Sequence, residues 1–431
     1  MMEVAITGFE AATAFGIGHD FLWNGLVNNL NGIRTIEQFD ASSLPVKIAG
    51  DVPPIDFLKL AAVDERLFQP APESRCAWYS LYCAKKALDM AGLDYLRWTN
   101  PLRVGVFVAD RETSVAWYLD EIAPLQVASL DATRKEVSQE AYLKRLIQAD
   151  ALRRYRKMDP ERVSVLIQKR MGIEGPNVVI GTACASGNDA IGQAAQYIAE
   201  GDLDIAIAGG AFELDLVGMI GFARLEALTL NPDSDLASRP FDKQRNGFVM
   251  ASGCGIVVLE NLEMAKRRGA QIRGTVAGYG NCCDAYRATD PHPDAEASYR
   301  AMLQAMKEAQ AQPEDVDYIA AHGTSTKLND RTETIAIKRA LGEHAKTVPI
   351  SASKSMIGHT ILAAGAIQAI VAIKTIETGV IHPTRNLIDP DDECDLYYVP
   401  GQAIEREVDL VVSNSFGFGG QNACLAFRSA R

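Results

Sequence analysis

The chain has 431 residues, 48% of them hydrophobic, so it can bury a large core as one duplicated domain or as two fused domains. Its net charge of −12 argues against a general nucleic-acid or acidic-membrane surface, although a local basic patch stays open. The N-terminus lacks the basic start of a signal peptide, and the most apolar stretch, residues 363–373, is shorter than the roughly 20 residues that span a bilayer.

The eight cysteines are scattered along the chain, with no CxxC pair and with neither zinc-site nor disulfide-framework spacing. We therefore expect a soluble protein of the reducing cytoplasm that holds no metal. Most of the thiols should be buried as small hydrophobic groups, which is the ordinary state of a free cysteine.

Short apolar runs rich in Val and Ile alternate with longer helical patterns, which predicts an α/β layered fold. The predicted strands of the first half are residues 4–8, 104–109, 178–182, 205–209 and 255–259. Those of the second half are residues 275–280, 318–321, 349–353, 410–413 and 423–427. Because residues 1–260 and residues 261–431 follow a similar pattern, we expect an internal duplication.

Residues 110–171 depart from this alternation, since they read as charged helices without a strand. We interpret them as an insertion that decorates the first half. Their densest basic run consists of Arg153, Arg154, Arg156 and Lys157. Such a run is either a solvated helix face or a docking patch for an acidic partner, and both readings stay open here.

The segment NVVIGTACASGND, residues 177–189, places Cys184 between a predicted strand and a predicted helix. A thiol in the first turn of a helix is near the positive end of the helix dipole, which lowers its pKa and favours the thiolate. The small residues around it leave room for an electrophile. The sequence therefore predicts an exposed, reactive nucleophile at this position rather than an inert buried cysteine.

Two further segments place polar side chains after strands of the second half. AAHGTSTKLND, residues 320–330, carries His322, and SASKSMIGHTILAAGAIQ, residues 351–368, carries Lys354 and His359. Loops at strand ends are where α/β proteins gather functional groups. Alone, either histidine would more often be structural, but together with Cys184 they predict a Cys-His-His-Lys site.

The segment SNSFGFGGQNACLAF, residues 413–427, contains a glycine-rich turn between two predicted strands. Glycines allow a tight turn whose backbone N–H groups can point at a developing oxyanion. A plain glycine hairpin explains the same residues and does not exclude this role.

In this order along nearly the whole chain, the motifs GTACASGNDAIG, ASRPFDKQRNGFVM, AHGTSTKLND, SKSMIGH and NSFGFGGQNA resemble those of the type II β-ketoacyl-acyl-carrier-protein synthases, including polyketide ketosynthases. The resemblance implies a thiolase-like α/β fold. In that fold two mixed five-stranded sheets lie in five α/β/α/β/α layers, usually within a dimer.

The resemblance also implies roles for the site residues. Cys184 would accept an acyl chain from a phosphopantetheine thioester. His322 and His359 would donate hydrogen bonds to the malonyl thioester carbonyl while CO₂ is lost, and Lys354 would orient the site. The N–H groups of Cys184 and Phe418 would form the oxyanion hole, and Phe418 would also act as a gate. Thr324 and Thr326 would hold the pantetheine arm.

The implied activity needs no bound cofactor, because an acyl carrier protein brings the thioester. The implied partners are therefore the carrier protein and a second chain. That second chain is either an identical copy or a ketosynthase-like chain-length factor, in a homodimer or a heterodimer.

Several positions depart from the family pattern. Residues 108–114, VADRETS, replace a glycine-rich loop that lines the acyl pocket at the dimer interface. Ser252 replaces a glutamate, Gln368 replaces the acid that accompanies the lysine, and Glu226 replaces an arginine that helps to dock the carrier. Residues 67–73 lack the bases common there, so Arg153, Arg154, Arg156 and Lys157 become the predicted docking patch.

These departures favour a specialised polyketide or polyene pathway over housekeeping fatty-acid elongation, which remains the alternative. A non-catalytic subunit of the chain-length-factor kind typically lacks the thiol that Cys184 retains. A thiolase would need a second catalytic cysteine near the C-terminus, whereas Cys424 lies inside an apolar predicted strand. An enzyme that only decarboxylates malonyl thioesters usually has a changed nucleophile.

Overall fold

The structure is a computed structural model that describes residues 4–69, 71, 74–110, 122–149 and 163–430. The predicted docking patch lies outside the described residues, and so do Arg111 and Glu112 of the departing loop.

The strands are β1 (Val4–Thr13), β2 (Gly16–Ile17), β3 (Arg34–Thr35), β4 (Ile48–Ala49), β5 (Val104–Ala109), β6 (Asn177–Ile180), β7 (Ile205–Phe212), β8 (Gly253–Asn261), β9 (Gly274–Cys283), β10 (Tyr318–Ala320), β11 (Ile350–Ser351), β12 (Val380–Ile381), β13 (Ile404–Glu405), β14 (Leu410–Gly417) and β15 (Gln421–Arg428). The helices are α1 (His19–Val27), α2 (Phe57–Ala61), α3 (Arg75–Ala91), α4 (Ala123–Val127), α5 (Gln139–Gln148), α6 (Val163–Arg170), α7 (Ser186–Ala199), α8 (Leu216–Arg224), α9 (Leu262–Arg267), α10 (Glu296–Glu308), α11 (Lys327–Leu341), α12 (Lys354–Ile357) and α13 (Ala364–Thr378).

Two groups of five strands have the same order and the same directions. The first group runs β6-β5-β7-β8-β1 and the second runs β11-β10-β14-β15-β9. In each group the first three strands are parallel to one another. The fourth and fifth strands each pair antiparallel with the strand before them in this order. The two groups are joined where Val4–Ile6 of β1 pairs with Gly274–Val276 of β9. This arrangement confirms the predicted mixed α/β fold.

Helices complete the layers around these strands. The helices α7 and α13 contact each other and strands of both groups, so they form the central layer. The helix α3 packs on β1 and β8, and α10 packs on β9 and β15, on the outer faces. By length and composition alone, residues 361–378 could cross a membrane, with a mean hydropathy of 1.5, but 83% of this stretch is buried inside the fold.

The predicted strands agree with the structure, with differences at their ends. Strand 104–109 is β5 itself. The strand predicted at 178–182 ends at Ile180, because Thr182 already belongs to the turn before α7. The strand predicted at 349–353 is only Ile350–Ser351, because Ser353 begins the helix that carries Lys354. Lys354 is therefore a helix residue, not a strand-end residue.

Glycines let β1 and β9, the strands at which the two groups join, approach their outer helices. A Cβ added at Gly8 of β1 would lie 2.0 Å from the carbonyl oxygen of Ala87 on α3. A Cβ added at Gly278 of β9 would lie 2.0 Å from the carbonyl oxygen of Ala305 on α10. Both contacts are with backbone, which cannot move without displacing the helix, so a side chain has no room at either position.

The substitution Gly278→Ala is expected to lower the free energy of unfolding by about 2 kcal/mol, because the added methyl group pushes α10 away from the sheet. Urea unfolding followed by circular dichroism would measure this change. Gly221→Ala in α8 is the matched control, since nothing lies within 4 Å of its added Cβ. The control should gain up to about 1 kcal/mol from helix propensity; equal effects at the two sites would contradict the packing argument.

Candidate active site

A tight turn between β6 and α7 presents Cys184. Residues Ala183–Ala185 form a short 3₁₀ turn, and Ala183 has a φ of 49°, a strained value for a residue other than glycine. The Ser186 hydroxyl accepts a hydrogen bond from the Thr182 N–H (2.8 Å) and donates one to the Ala183 carbonyl (2.6 Å). These bonds hold the strained turn and aim the thiol into the protein.

A buried carboxylate, which no sequence motif indicated, anchors the same turn. The Thr182 hydroxyl donates to Asp189 Oδ2, while Tyr279 Oη and Asn281 Nδ2 each donate to Oδ1 at 2.7 Å. Asp189 is fully buried. Its position five residues after the thiol is visible in the sequence, but its partners Tyr279 and Asn281 come from β9, so only the folded chain shows its role.

The glycine turn after β14 lies against the nucleophile turn. A Cβ added at Gly417 would be 2.9 Å from the backbone nitrogen of Cys184. The N–H groups of Phe418 and of Cys184 itself both act on the thiolate form of Cys184 and stabilise it. The two donors predicted for an oxyanion hole are therefore at the sulfur.

The prediction of an exposed, primed thiolate is wrong for the resting protein. Cys184 is only 7% exposed. Burial raises the pKa of its thiol to about 11, and the opposing effects of the Lys354 charge and of the backbone N–H groups do not cancel that rise. Desolvation outweighs the helix dipole here because the turn lies inside the fold rather than at its surface. The resting nucleophile is thus a neutral thiol.

His359 faces the thiol and its tautomer is set by the backbone. Its Nε2 lies 3.2 Å from Cys184 Sγ, and its Nδ1 accepts a hydrogen bond from the Ile361 N–H at 3.2 Å. Burial, and next the charge of Lys354, lower the pKa of His359 well below its usual value. The ring is therefore neutral with its proton on Nε2, which makes it a hydrogen-bond donor toward the thiol.

His322 is the second imidazole at the sulfur. Its ring centroid is 5.3 Å from that of His359, in an edge-to-face arrangement. Burial, followed by the charges of Lys354 and His359, lowers its pKa well below the usual value, so this ring is also neutral. The structure thus brings together the three groups that the sequence predicted from segments far apart in the chain.

Glu333 supports the His322 loop, and no motif had indicated it. Its carboxylate accepts the backbone N–H groups of His322 (2.7 Å) and Gly323 (2.8 Å) and the Asn414 amide (3.1 Å). It is fully buried, and burial raises its pKa to about 7. In the sequence it is one of two acids in α11, and its inward position follows only from the packing of that helix.

Lys354 is held by the residue that departs from the family pattern. Its Nζ donates to Gln368 Oε1 at 2.5 Å. The Gln368 amide nitrogen donates in turn to the carbonyls of Ala320, Ala321 and Asn414, so every polar atom of Gln368 is used. Burial lowers the pKa of Lys354 to about 8, although Glu333 and Cys184 oppose this shift. Gln368 therefore positions Lys354 without adding a charge.

Cys184, His322 and His359 also have the spacing of metal ligands, since their donor atoms lie within 4.8 Å of one another. A metal-binding histidine normally donates its second ring N–H to an acceptor. Here the Ile361 N–H points at the second nitrogen of His359, so a metal at Nε2 would leave two donors facing each other. The donor set fits hydrogen bonding to a substrate better than it fits a metal.

A cavity of about 400 Å³ connects this cluster with the surface. Cys184, His322 and His359 line its inner end, together with Phe416 and Phe418. Thr324 and Thr326 line it farther out, with their hydroxyls 2.9 Å apart. The predicted gate and the predicted pantetheine-binding residues therefore lie along one channel that ends at the thiol.

A buried arginine fixes the loop that carries the two threonines. Arg245 is 1% exposed; it donates to the carbonyls of Thr326 (3.2 Å) and Lys327 (3.1 Å) and to Asp391 (2.6 Å). Asp330 accepts the Thr324 N–H at 3.0 Å and lies beside the same guanidinium. The motif RPFDKQRNGF contained this arginine, but its sequence gave no indication of which loop it holds.

The structure shows where two of the other departures lie. Ser252 donates to Asp51 and accepts the Val52 N–H at 2.9 Å, so it ties a neighbouring loop to β8. Glu226 is exposed and lines the outer part of the cavity.

The alkylation of Cys184 by iodoacetamide is expected to accelerate throughout the range from pH 7 to pH 10, by somewhat less than tenfold per pH unit, because only the thiolate reacts, its pKa is about 11, and the stabilising charge of Lys354 is lost as the pH rises. Lys354→Met should slow the reaction severalfold at pH 7, since it removes a charge that stabilises the thiolate. The difference should shrink toward pH 10, because Lys354 has a pKa of about 8 and loses its charge above it. Stopped-flow or mass-spectrometric alkylation would measure both slopes.

The exposed residue Lys346, paired with Glu343, gives the control Lys346→Met, which should not change the rate. A rate that reaches a plateau below pH 9 would contradict the buried neutral thiol.

Comparison with known proteins gives consistent matches. The family descriptions "Beta-ketoacyl synthase, N-terminal domain" and "Beta-ketoacyl synthase, C-terminal domain" match residues 1–265 and 273–388. The chain is 38% identical to 3-oxoacyl-[acyl-carrier-protein] synthase 2 of Synechocystis sp. over 428 residues, which cover 99% of this chain and 98% of that protein. It is 37% identical to the protein of the same name from Coxiella burnetii, with 98% and 97% covered.

Solved structures agree. A chain from the complex of a type II polyketide acyl-carrier protein with its hexaketide-bound ketosynthase has a TM-score of 0.85 at 31% identity, covering 100% of this chain and 99% of that one. The ishigamide ketosynthase/chain length factor has a TM-score of 0.83 at 32% identity, with the same coverage.

Proposed function

The chain belongs to the β-ketoacyl synthase family, and from that premise we propose that it extends an acyl chain bound to Cys184 with a malonyl-carrier thioester in a polyketide or polyene pathway. It is an acyltransferase of the condensing type. The observation that carries the proposal is the 3.2 Å contact of His359 Nε2 with Cys184 Sγ, with His322 beside both at the inner end of one cavity.

In the first step the Cys184 thiol attacks the acyl-carrier thioester. The new bond joins Sγ to the acyl carbon, the bond to the carrier sulfur breaks, and the proton of the thiol leaves with the carrier thiol. The N–H groups of Cys184 and Phe418 stabilise the oxyanion of the tetrahedral intermediate, which is supported by their contact with the sulfur.

In the second step a malonyl-carrier thioester loses CO₂ and leaves an enolate. Neutral His359, with its proton on Nε2, donates to the enolate oxygen together with His322, and neither ring is acidic enough to protonate the carbanion readily. The carbanion attacks the acyl carbon and the bond to Sγ breaks. The 3-oxoacyl product stays on the carrier, and a proton from solvent restores the thiol.

The partner of this reaction is an acyl carrier protein, and the substrates arrive on its phosphopantetheine arm. Support comes from the depth of the thiol, which is 7% exposed and lines a cavity of about 400 Å³, a position that suits a substrate carried on a long flexible arm. Two similar proteins carry the acyl-carrier protein in their own names. With eight free thiols, the protein suits a reducing cytoplasm.

A second chain of the same fold is the other proposed partner. The strand β6 lies at one edge of the main sheet, and Asn177–Val179 are only partly buried. An edge strand offers backbone groups that a second chain can pair with. Sedimentation of the protein alone distinguishes the two forms, because a stable dimer indicates identical chains and a monomer indicates that a ketosynthase-like partner is required.

The test of the enzymatic proposal is a mass measurement after incubation with an acyl-carrier thioester. An adduct on Cys184, followed by release of CO₂ and of a 3-oxoacyl-carrier when malonyl-carrier is added, is the expected result. A folded protein that forms no adduct would instead be the non-catalytic subunit of the chain-length-factor kind.

The pathway is tested by the choice of acyl chain. We expect faster acylation of Cys184 by a polyunsaturated six-carbon acyl-carrier than by the saturated one. The reverse preference would identify the housekeeping fatty-acid elongation enzyme. The two polyketide-related structures support the polyketide pathway as the first expectation.

A further inference from the structure

The outer part of the active-site cavity is lined by charged residues of mostly one sign. Glu226, Asp284 and Asp290 contribute carboxylates, and Lys327 is the one cation in the described lining. Asp290 is already paired with Arg287 at 2.9 Å, and Asp284 accepts hydrogen bonds from the His292 N–H and the Asn422 amide. An anion that enters this channel meets negative charge unless Lys327 balances it.

Lys327 has a fixed backbone and an uncommitted side chain. Its carbonyl accepts the Arg245 guanidinium at 3.1 Å, and it is the first residue of α11. Within the described ranges, no carboxylate forms an ion pair with its ammonium group. The side chain is exposed. Arg245 therefore fixes the backbone of Lys327, while the Lys327 ammonium group is available to bind an anionic group of a ligand.

The loop from His322 to Lys327 follows the cavity outward. His322 is 1% exposed and Thr324 is 5% exposed, Thr326 is half-buried, and Lys327 is exposed. All four line the cavity. Five residues of extended chain reach at most about 18 Å, so Lys327 lies within that distance of the catalytic imidazole. The loop therefore runs beside any arm whose sulfur reaches Cys184.

A phosphopantetheine arm carries its thioester at one end and its phosphodiester at the other, separated by two amide-containing units. When the sulfur is at Cys184, the phosphodiester must lie at the outer end of the cavity. We infer that Lys327 binds this phosphodiester and makes the enzyme prefer phosphorylated acyl-pantetheine thioesters over those without phosphate. The inference rests on the proposed function, because it assigns one residue of the same substrate channel.

Arg287 is another cation close to the cavity lining, since it pairs with Asp290, and its position is less suitable. Its guanidinium is paired with Asp290 and lies 5.3 Å from the centre of the Tyr286 ring. It does not line the cavity itself. Its charge is already balanced locally, so a phosphate gains less from it than from Lys327.

The experiment compares the acylation of Cys184 by octanoyl-phosphopantetheine and by octanoyl-pantetheine, with the full protein and single-turnover mass spectrometry. For the unaltered protein we expect a second-order rate constant about 10-fold larger for the phosphorylated thioester. Lys327→Met should bring the ratio to about one, through the phosphorylated substrate alone, and Lys327→Arg should restore most of it. Lys307→Met, at an exposed lysine that does not line this cavity, should leave the ratio unchanged.

An unchanged ratio in Lys327→Met would overturn the inference, and so would a ratio that falls only in Arg287→Gln. Unchanged acylation by octanoyl-pantetheine in Lys327→Met shows that the variant is folded and that the site works. If neither thioester acylates the unaltered protein, the proposed function fails and the inference fails with it. If both thioesters acylate it but the ratio does not depend on Lys327, only the inference fails.

Discussion

Replacing Cys184 by alanine is expected to abolish the acyl adduct and to reduce formation of the 3-oxoacyl product by at least about 10⁴-fold, the scale found when a catalytic nucleophile is removed. The release of CO₂ from malonyl-carrier should fall far less, because His322 and His359 do not need the sulfur to hold an enolate. Intact-protein mass spectrometry and a coupled CO₂ assay would measure the two effects on one sample.

Cys283→Ala is the matched control, since Cys283 is the exposed cysteine and the one most accessible to a reagent in solution. It should keep the adduct and most of the activity. If the adduct survives in Cys184→Ala and disappears in Cys283→Ala, the nucleophile is the exposed Cys283, and the proposed mechanism is wrong.

His322→Ala is expected to separate the two chemical steps. Acylation of Cys184 should stay within a few-fold of the unaltered rate, because the N–H groups of Cys184 and Phe418 are unchanged. The release of CO₂ from malonyl-carrier should fall by about 10²- to 10³-fold, which is the usual loss when one donor to a developing oxyanion is removed. The measurement is adduct formation with the acyl carrier alone, followed by CO₂ release after malonyl-carrier is added.

His344→Gln serves as the control, because His344 bonds to the Val316 carbonyl away from the cavity and should affect neither step. Equal losses of acylation and decarboxylation in His322→Ala would contradict the division of roles. In that case the Glu333 contact with the His322 loop would be the first place to look for a general disruption of the site.

Much of the fold could be predicted because its signals are local. Short Val-rich runs such as residues 104–109 are typical of buried strands, and glycine followed by small residues marks the turn at Cys184. The predicted strand ends were less accurate. At Ser353, for example, the backbone begins a helix instead of continuing the strand, because the residues that follow pack as a helix.

The site was predicted less evenly. Cys184 and His322 were found because each follows a strand, and His359 was found because it stands just before a helix; all three have unusual neighbours. Asp189 and Glu333 were missed, although each holds part of the site, since a buried acid in a helix looks like any other acid in the sequence. The predicted patch at residues 153–157 lies outside the described residues and stays a prediction.

The order of residues alone was sufficient to establish the α/β class, the order of the motifs and the identity of the chemical groups, because these depend on neighbours in the chain. The protonation of the site was decided only by the tertiary structure. Burial raises the pKa of Cys184 to about 11, and the Ile361 N–H places the His359 proton on Nε2. Desolvation and hydrogen-bond direction depend on groups that come together only in the folded chain, and therefore no local pattern could reveal them.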